Sequence, residues 1–385
     1  MKTDTAFSLK PYKIWVLVPY LESEDPNIRH YYDFSQSLAE YASVFEGLKA
    51  DWKWQPVSID NYKEVIRGIV ISANGKTPLI MNLCDGDEVN GTPGVSVILE
   101  LEKYGLIYTG SDEKFYNATT SKIPMKKAFE KAGVSTAGWR VINGSKGSIK
   151  GICKRIGTPL LLKPAVSGGS MGVSVKNVVN TEEDLVKRVE EIKEGYHGWN
   201  LIADGLFAER FITGPEFTTF ITGSFDDPDN CIVYEPVERV FHKSLPDTEK
   251  FLSFGRLWEI YDEETPMPGN ESFYEYQPVN PTLIRRLKKI SLDAYKACHG
   301  KGYARLDIRL DASTGELFML EVNAQCGLSE DENYTSIGAI LKASKVTYTQ
   351  VIIEIIKDAL RRSIPNPAIA RKTRSSAPKK KAAVK

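Results

Sequence analysis

Residues 302–327 read GYARLDIRLDASTGELFMLEVNAQCG. Two runs in which apolar and polar side chains alternate flank the turn-rich DASTG, which is the pattern of a β-hairpin. Side chains two apart on a strand face the same way. Arg305, Asp307 and Arg309 therefore share one face of the first run, and Glu321 and Asn323 share one face of the second. A register that sets Asp307 opposite or diagonal to Glu321 gathers two carboxylates and an amide oxygen into one small volume. Like charges that close repel unless a cation lies between them, and hard oxygen donors of this kind select Mg²⁺, with Mn²⁺ as the alternative, phosphate oxygens completing the shell. The competing reading pairs the carboxylates with arginines on a solvated face; the apolar flanks in FMLEVN weigh against it, because they predict a covered sheet.

Upstream, residues 160–175 read LLLKPAVSGGSMGVSV. Lys163 closes an apolar run, where an ammonium is costly to desolvate without an anionic partner, and a phosphate meets that need. The small side chains of Ser167–Gly168–Gly169–Ser170–Met171–Gly172 let successive backbone N–H groups close on an anion. The β-branched VSVKNVV that follows predicts strand–loop–strand rather than strand–loop–helix, so neither the Walker nor the Rossmann pattern applies, and a plain hairpin stays open as the alternative.

Toward the N-terminus, KIWVLVPY (13–20) and TPLIMNLCDGDEVNG (77–91) read as buried strands that break into polar residues and glycine. Helix-period stretches lie between and after them, predicting a small α/β domain with a parallel sheet over about the first 110 residues. SKIPMKKAFEKAG (121–133) reads as a helix opening a second unit, and TEEDLVKRVEEIKEG as another, with Thr181 and Asp184 forming a capping box. The last ordered element is the helix VTYTQVIIEIIKDALRR, after which the basic residues 365–385 are poor in large apolar side chains and predict a disordered tail.

The chain has 385 residues, 42% hydrophobic and 26% charged, with 50 basic against 50 acidic side chains. That length accommodates two or three packed domains with a cleft between them, and the balanced charge gives no reason to expect nucleic acid as a partner. Cys84, Cys153, Cys231, Cys298 and Cys326 form no CxxC pair, so reduced thiols in a cytoplasmic protein are expected. The apolar run near the N-terminus is too short for a signal h-region or a membrane span.

Taken in order, a lysine-bearing helix, LLLKP with its Gly/Ser loop, ERFITGPEFT, YARLDIRL and LEVNAQCG resemble the ATP-grasp superfamily, and within it the D-alanine–D-alanine ligase family, from about Tyr108 to about Leu360. The resemblance implies an α/β (α+β) ATP-grasp fold that holds the nucleotide between two sheets. Its units are an N-terminal domain (1–110), a central subdomain with the phosphate loop (111–205), a C-terminal subdomain with the metal hairpin and a long substrate loop (206–364), and the tail. It implies ATP-driven joining of a small-molecule carboxylate to an amine through an acyl phosphate; a homodimer is compatible with it. Lys122 and Lys163 match lysines on the nucleotide phosphates, with Ser170 in the lid over them. Arg210 and Ile212 match backbone contacts to adenine, with Glu209 nearby, and Glu216 matches a ribose ligand. Asp307, Glu321 and Asn323 match ligands of two magnesium ions, and Arg305 and the Gly327 N–H match groups that stabilise the acyl-phosphate and tetrahedral species. The same match leaves two rivals, a nucleotide-binding module without ligase activity and another acyl-phosphate-forming enzyme.

Departures from the family cluster at the substrate end. Glu22, Glu24 and Asp25 stand where a glycine-rich turn and a substrate-binding glutamate are expected, and Asp85, Asp87 and Glu88 follow the second strand in place of a histidine–glycine pair. Val279 and Asn280 replace a lysine–tyrosine pair. The long segment 223–281 reads as a lid or substrate loop, with His242, Lys243, Lys250 and Arg256 as candidate carboxylate contacts. Glu330, Asp331 and Glu332 fall where a carboxylate-binding serine is expected and would repel a free α-carboxylate, arguing for substrates other than D-alanine. No role is assigned to His197 or His299.

Overall fold

The computed structural model describes residues 7–22, 33–72, 75–143, 146–195, 198–333 and 335–364; Glu24, Asp25, His197 and the 365–385 tail lie outside them. Three sheets organise the chain. The first contains β1 (Tyr12–Pro19), α1 (Ser35–Gly47), β2 (Asp51–Val57), α2 (Tyr62–Ile71), β3 (Thr77–Asn82), α3 (Val95–Lys103) and β4 (Ile107–Tyr108), with strand order β2-β1-β3-β4, all parallel. Ile14 to Val18 are buried on both faces, as a parallel strand covered by helices requires.

The chain continues through α4 (Glu113–Thr120), α5 (Lys122–Ala132), β5 (Trp139–Ile142), α6 (Lys146–Ile149), α7 (Ile152–Ile156), β6 (Leu160–Pro164), β7 (Val178–Val179), α8 (Glu182–Lys193) and β8 (Leu206–Arg210). The second sheet has order β5-β8-β6-β7 with antiparallel pairing throughout. The Gly/Ser loop does join two strands, though β7 is only two residues long and follows a 3₁₀ turn. Because β8 pairs with β5 and β6, this sheet extends through Arg210, past the boundary expected at 205. Thr181 caps α8 by accepting from Asp184 N at 3.1 Å, but the Asp184 carboxylate accepts from the Thr181 hydroxyl at 2.7 Å, so only half of the expected capping box forms.

The third sheet draws on β9 (Glu216–Thr222), β10 (Ile232–Val233), β11 (Val237–Phe241), β12 (Tyr274–Pro278), β13 (Tyr303–Leu310) and β14 (Leu317–Ala324), in the order β12-β11-β9-β13-β14 with β10 beside β9. Between its strands lie α9 (Phe254–Trp258) and α10 (Pro281–Ala297), and after them α11 (Ser336–Ser344) and α12 (Tyr348–Ser363). The segment expected as a long loop therefore supplies three strands of this sheet. The second helix of the middle region also departs from expectation: Met125 and Phe129 of α5 pack with Phe115, Phe217, Leu287 and Leu306, so α4 and α5 cover the third sheet rather than the second. Their apolar faces are buried there while Lys122 and Lys126 point toward the second sheet. The α12 residues Val351, Ile352, Ile355 and Ile356 share a core with Val16, Phe45 and Phe220, which binds the N-terminal sheet to the third.

β13 and β14 pair as the hairpin reading requires, with Asp307 directly opposite Glu321. The register then shifts, Ile308 facing Met319, so Leu320 is an extra residue in β14. A bulge of this kind re-aims neighbouring side chains.

Candidate active site

The three sheets enclose a cleft of about 1710 Å³. Single small-molecule pockets run to ~1,000 Å³, so this one has room for a nucleotide and a second ligand. All twelve residues singled out for nucleotide, metal and catalytic roles line it, from Lys122 and Lys163 on one wall to Arg305, Asp307, Glu321, Asn323 and Gly327 on the other.

The Gly/Ser loop has the shape its composition predicts. Gly169, Ser170 and Gly172 have φ of 51°, 63° and 71°, left-handed values that turn backbone N–H groups into a concavity. The Ser170 hydroxyl donates to Leu252 O at 2.8 Å, Trp258 Nε1 donates to Gly169 O at 2.8 Å, and Phe254 N donates to Val173 O at 2.8 Å. Residues 251–258 thus strap the loop down, and the hydroxyl expected over the phosphates is engaged with that strap.

Lys163 also has an anionic partner within the protein, which the sequence reading did not anticipate. Glu209, 3% exposed, meets Lys163 Nζ at 2.8 Å and Lys126 Nζ at 2.5 Å. Burial alone would raise the Glu209 pKa, but the two ammonium groups outweigh it and hold the carboxyl at about 2. Lys126 also donates to Thr136 Oγ1 at 2.8 Å. Sequence reading missed Lys126, although its place one turn after Lys122 on a helix put both lysines on the same face.

On the hairpin side, Asp307 Oδ2 accepts from Arg305 Nη2 at 3.1 Å and from Asn323 Nδ2 at 3.1 Å. Asp307 Oδ1 is buried without a hydrogen-bond partner among the described residues. Glu321 lies 3.6 Å from Lys122 Nζ; burial opposes its ionisation, and Lys122, Lys163 and Arg305 together bring its pKa down to about 2. Asp307 does pair with an arginine, then, and Glu321 with a lysine, but inside a cleft and not on a solvated face.

Arg210 N donates to Gly138 O, Ile212 O accepts from Arg309 Nη1, and the Arg210 side chain pairs with Asp311 at 3.0 Å. Glu216 is 5% exposed and bound by Arg309 Nε at 2.9 Å and by Arg239. Burial raises its pKa and the two guanidinium groups more than reverse that.

Among the candidate carboxylate contacts only Arg256 reaches the cleft, pairing with Glu249 at 2.6 Å; His242 meets Glu271 at 2.7 Å and Lys250 meets Asp247 at 2.7 Å. Val279 is a core residue and Asn280 caps α10, its side chain accepting from Thr282 N at 3.1 Å. Glu88 anchors the start of α3 through Ser96 N at 2.6 Å, leaving Asp85 and Asp87 on the cleft; Glu22 is exposed on the surface. Asp85 is open to solvent yet deep in the cleft, and desolvation there, with Asp87 close by, pushes its pKa up to about 6. Glu332 is neutralised by Lys342 at 3.1 Å. Ser336 was missed: it opens α11, is 4% exposed, lines the cleft, and its hydroxyl has no partner among the described residues. The signal was the Thr-Ser pair before an apolar run.

The family model for the D-ala D-ala ligase C-terminus matches residues 129–357. The chain belongs to the D-alanine–D-alanine ligase family. It is thereby an ATP-grasp carbon–nitrogen ligase. Among related ligases of that name, one from Marinobacter nauticus is 26% identical over 69% of this chain and 70% of its own length, and one from Desulforudis audaxviator is 30% identical over 60% and 66%. A Bacillus anthracis D-alanine–D-alanine ligase solved with ATP superimposes with a TM-score of 0.62 at 19% identity, covering 91% of this ligase and 98% of that chain. VanG, a D-Ala:D-Ser ligase from Enterococcus faecalis, superimposes with a TM-score of 0.63 at 16% identity, covering 90% and 99%. These structures share the ATP-grasp fold of this ligase. No helix among its described residues is long and apolar enough to cross a membrane, and its five cysteines are free thiols.

Proposed function

We propose that this ligase uses ATP to activate a small-molecule carboxylate as an acyl phosphate and joins it to an amine, with substrates other than two D-alanines. The observation that carries the reading is the facing of Lys122, Lys163 and the left-handed Gly/Ser loop against Asp307, Glu321 and Asn323 across one cleft. The lysines and loop N–H groups hold the triphosphate, the backbone at Arg210 and Ile212 meets adenine, and Glu216 meets the ribose.

Asp307 and Glu321 are a hard-oxygen donor pair, the buried Oδ1 of Asp307 lacks a partner, and a half-turn of the Asn323 amide would present its oxygen beside them. This set fits Mg²⁺ or Mn²⁺, which when bound neutralises phosphate charge. Arg305 and the Gly327 N–H stabilise the negative charge that develops as the amine attacks. Positioning and charge cancellation suffice for this chemistry, and no side-chain nucleophile is required.

Two observations support a distinctive substrate. Ser336 and the N-terminus of α11 offer a carboxylate site, with Lys342 cancelling part of the repulsion expected from the 330–332 acids. Asp85 places an acid at the far end of the cleft, suited to an amine-bearing substrate. Because Asp85 titrates near 6, it is ionised above that pH and neutral below it. The KM for the amine-bearing substrate should therefore rise as pH falls through about 6, and Asp85→Asn should remove the inflection; a profile unchanged in that variant would exclude the contact.

The central test is phosphate release from ATP and Mg²⁺ against a panel of amino acids and amines, with products read by mass spectrometry. Phosphate and ADP appearing only with a carboxylate–amine pair, together with a product of condensed mass, is the expected result. Nucleotide hydrolysis without any condensed product across pairings that bind would refute ligation.

A further inference from the structure

We propose that Arg239 is a catalytic residue of this ligase that grips the terminal phosphate of ATP, an assignment resting on the nucleotide reading above. Arg239 lies in the middle of β11, in register with Glu216 of β9 and Tyr276 of β12. Arg309 of β13 continues the row on the other side of Glu216. Four neighbouring strands thus contribute Tyr276, Arg239, Glu216 and Arg309 to one line across the sheet, and all four side chains border the cleft.

The two arginines in this row are used differently. Arg309 fills its fork: Nε bonds Glu216 at 2.9 Å, Nη1 bonds Ile212 O at 2.8 Å, and Nη2 bonds Lys250 O. Arg239 does not. It is 3% exposed, its Nη1 is on Glu216, its Nη2 reaches Tyr276 Oη only at 3.4 Å, and its Nε is buried with no hydrogen-bond partner among the described residues. Across a 4.0 Å gap from Nη2 stands Asp307 Oδ1, another polar atom of this wall without a hydrogen-bond partner among the described residues. That spacing is too long for a hydrogen bond.

Charge points the same way. One carboxylate, Glu216, is shared by two guanidinium groups, so the row carries a surplus positive charge beside the metal-binding hairpin. A buried, incompletely paired guanidinium is unfavourable unless an anion completes it. Its planar fork suits phosphate oxygens, and the rings of Tyr274 and Tyr276, 5.5 and 5.6 Å from Cζ, hold that plane in place. Lys122, Lys163 and the Gly/Ser loop approach the triphosphate from the opposite wall. Arg239 stands on the Asp307 side, where the phosphoryl group being transferred must lie to reach both the metal ligands and Arg305.

The terminal phosphate distinguishes ATP from ADP, so the test compares the two. Calorimetric titration of the full chain in Mg²⁺ with ADP and with an imido-bridged, non-hydrolysable ATP analogue should show Arg239→Gln weakening the analogue by roughly 10- to 100-fold, the size of one charge-assisted hydrogen bond, and leaving ADP nearly unchanged. Arg239→Lys keeps the charge and should recover part of the analogue's preference. In the unmodified ligase the analogue, and not ADP, should shift the tyrosine absorbance contributed by Tyr274 and Tyr276, a readout that does not depend on either variant folding. Equal weakening of both nucleotides, or an absorbance change identical for both, would overturn the assignment. An unmodified chain that bound neither nucleotide would overturn the nucleotide reading itself and this assignment with it.

Discussion

Glu321→Gln is expected to lower phosphate release at saturating ATP by roughly 100- to 1,000-fold while the protein stays folded. The substitution keeps the shape of the side chain and removes one negative charge from the Asp307–Glu321–Asn323 set. Glu321 is well placed to lose function without losing the fold. Its side chain is 25% exposed and its ion pair with Lys122 is long, at 3.6 Å. Turnover and a thermal melt, measured together, separate the two effects, and near-normal turnover would show that Glu321 is not a metal ligand.

Glu209→Gln has the opposite signature, acting first on stability. It leaves the ammonium of Lys126, 1% exposed, buried without a carboxylate, and Lys163 with only a neutral amide. Breaking a buried pair from one side costs about 3–5 kcal/mol, a large part of the stability of a typical domain. Adding Lys126→Met should recover much of the loss, because the stranded charge is then gone, and urea melts of both variants measure this directly. A pH dependence follows. The folded pKa of about 2 lies below the ordinary value near ~4.3, so the stabilisation is complete above ~pH 5 and is lost as pH falls toward 2. Glu209→Gln should flatten that acid limb, and a variant as stable as the parent would show that the two lysines are held by something else.

The parts of the site that follow strand period or helix period were legible in the sequence. Arg305, Asp307, Glu321 and Asn323 fall on one face because side chains alternate, and the turn in DASTG fixes the pairing. The extra residue at Leu320 was not legible, since a bulge changes no local pattern. Long-range partnerships were equally hidden: the resemblance places Glu209 near adenine without naming its partners, and the two lysines it meets come from α5 and β6. The substrate end shows the same limit. Glu88 and Asp85 are three residues apart in an acidic run, yet one caps a helix and the other faces the cleft, and only the path of the chain after β3 separates them.

The strap over the Gly/Ser loop bears on how this region drifts over generations. All three of its ties end on backbone carbonyls, at Leu252, Gly169 and Val173, and the last of them is backbone to backbone, donated by Phe254 N. The ties themselves draw on only two side chains, those of Ser170 and Trp258. Around those ties the segment is held by its own burial, with Phe251, Ser253, Phe254, Gly255 and Arg256 all buried, so drift along the strap is open chiefly at Leu252 and Leu257, whose side chains the ties do not use.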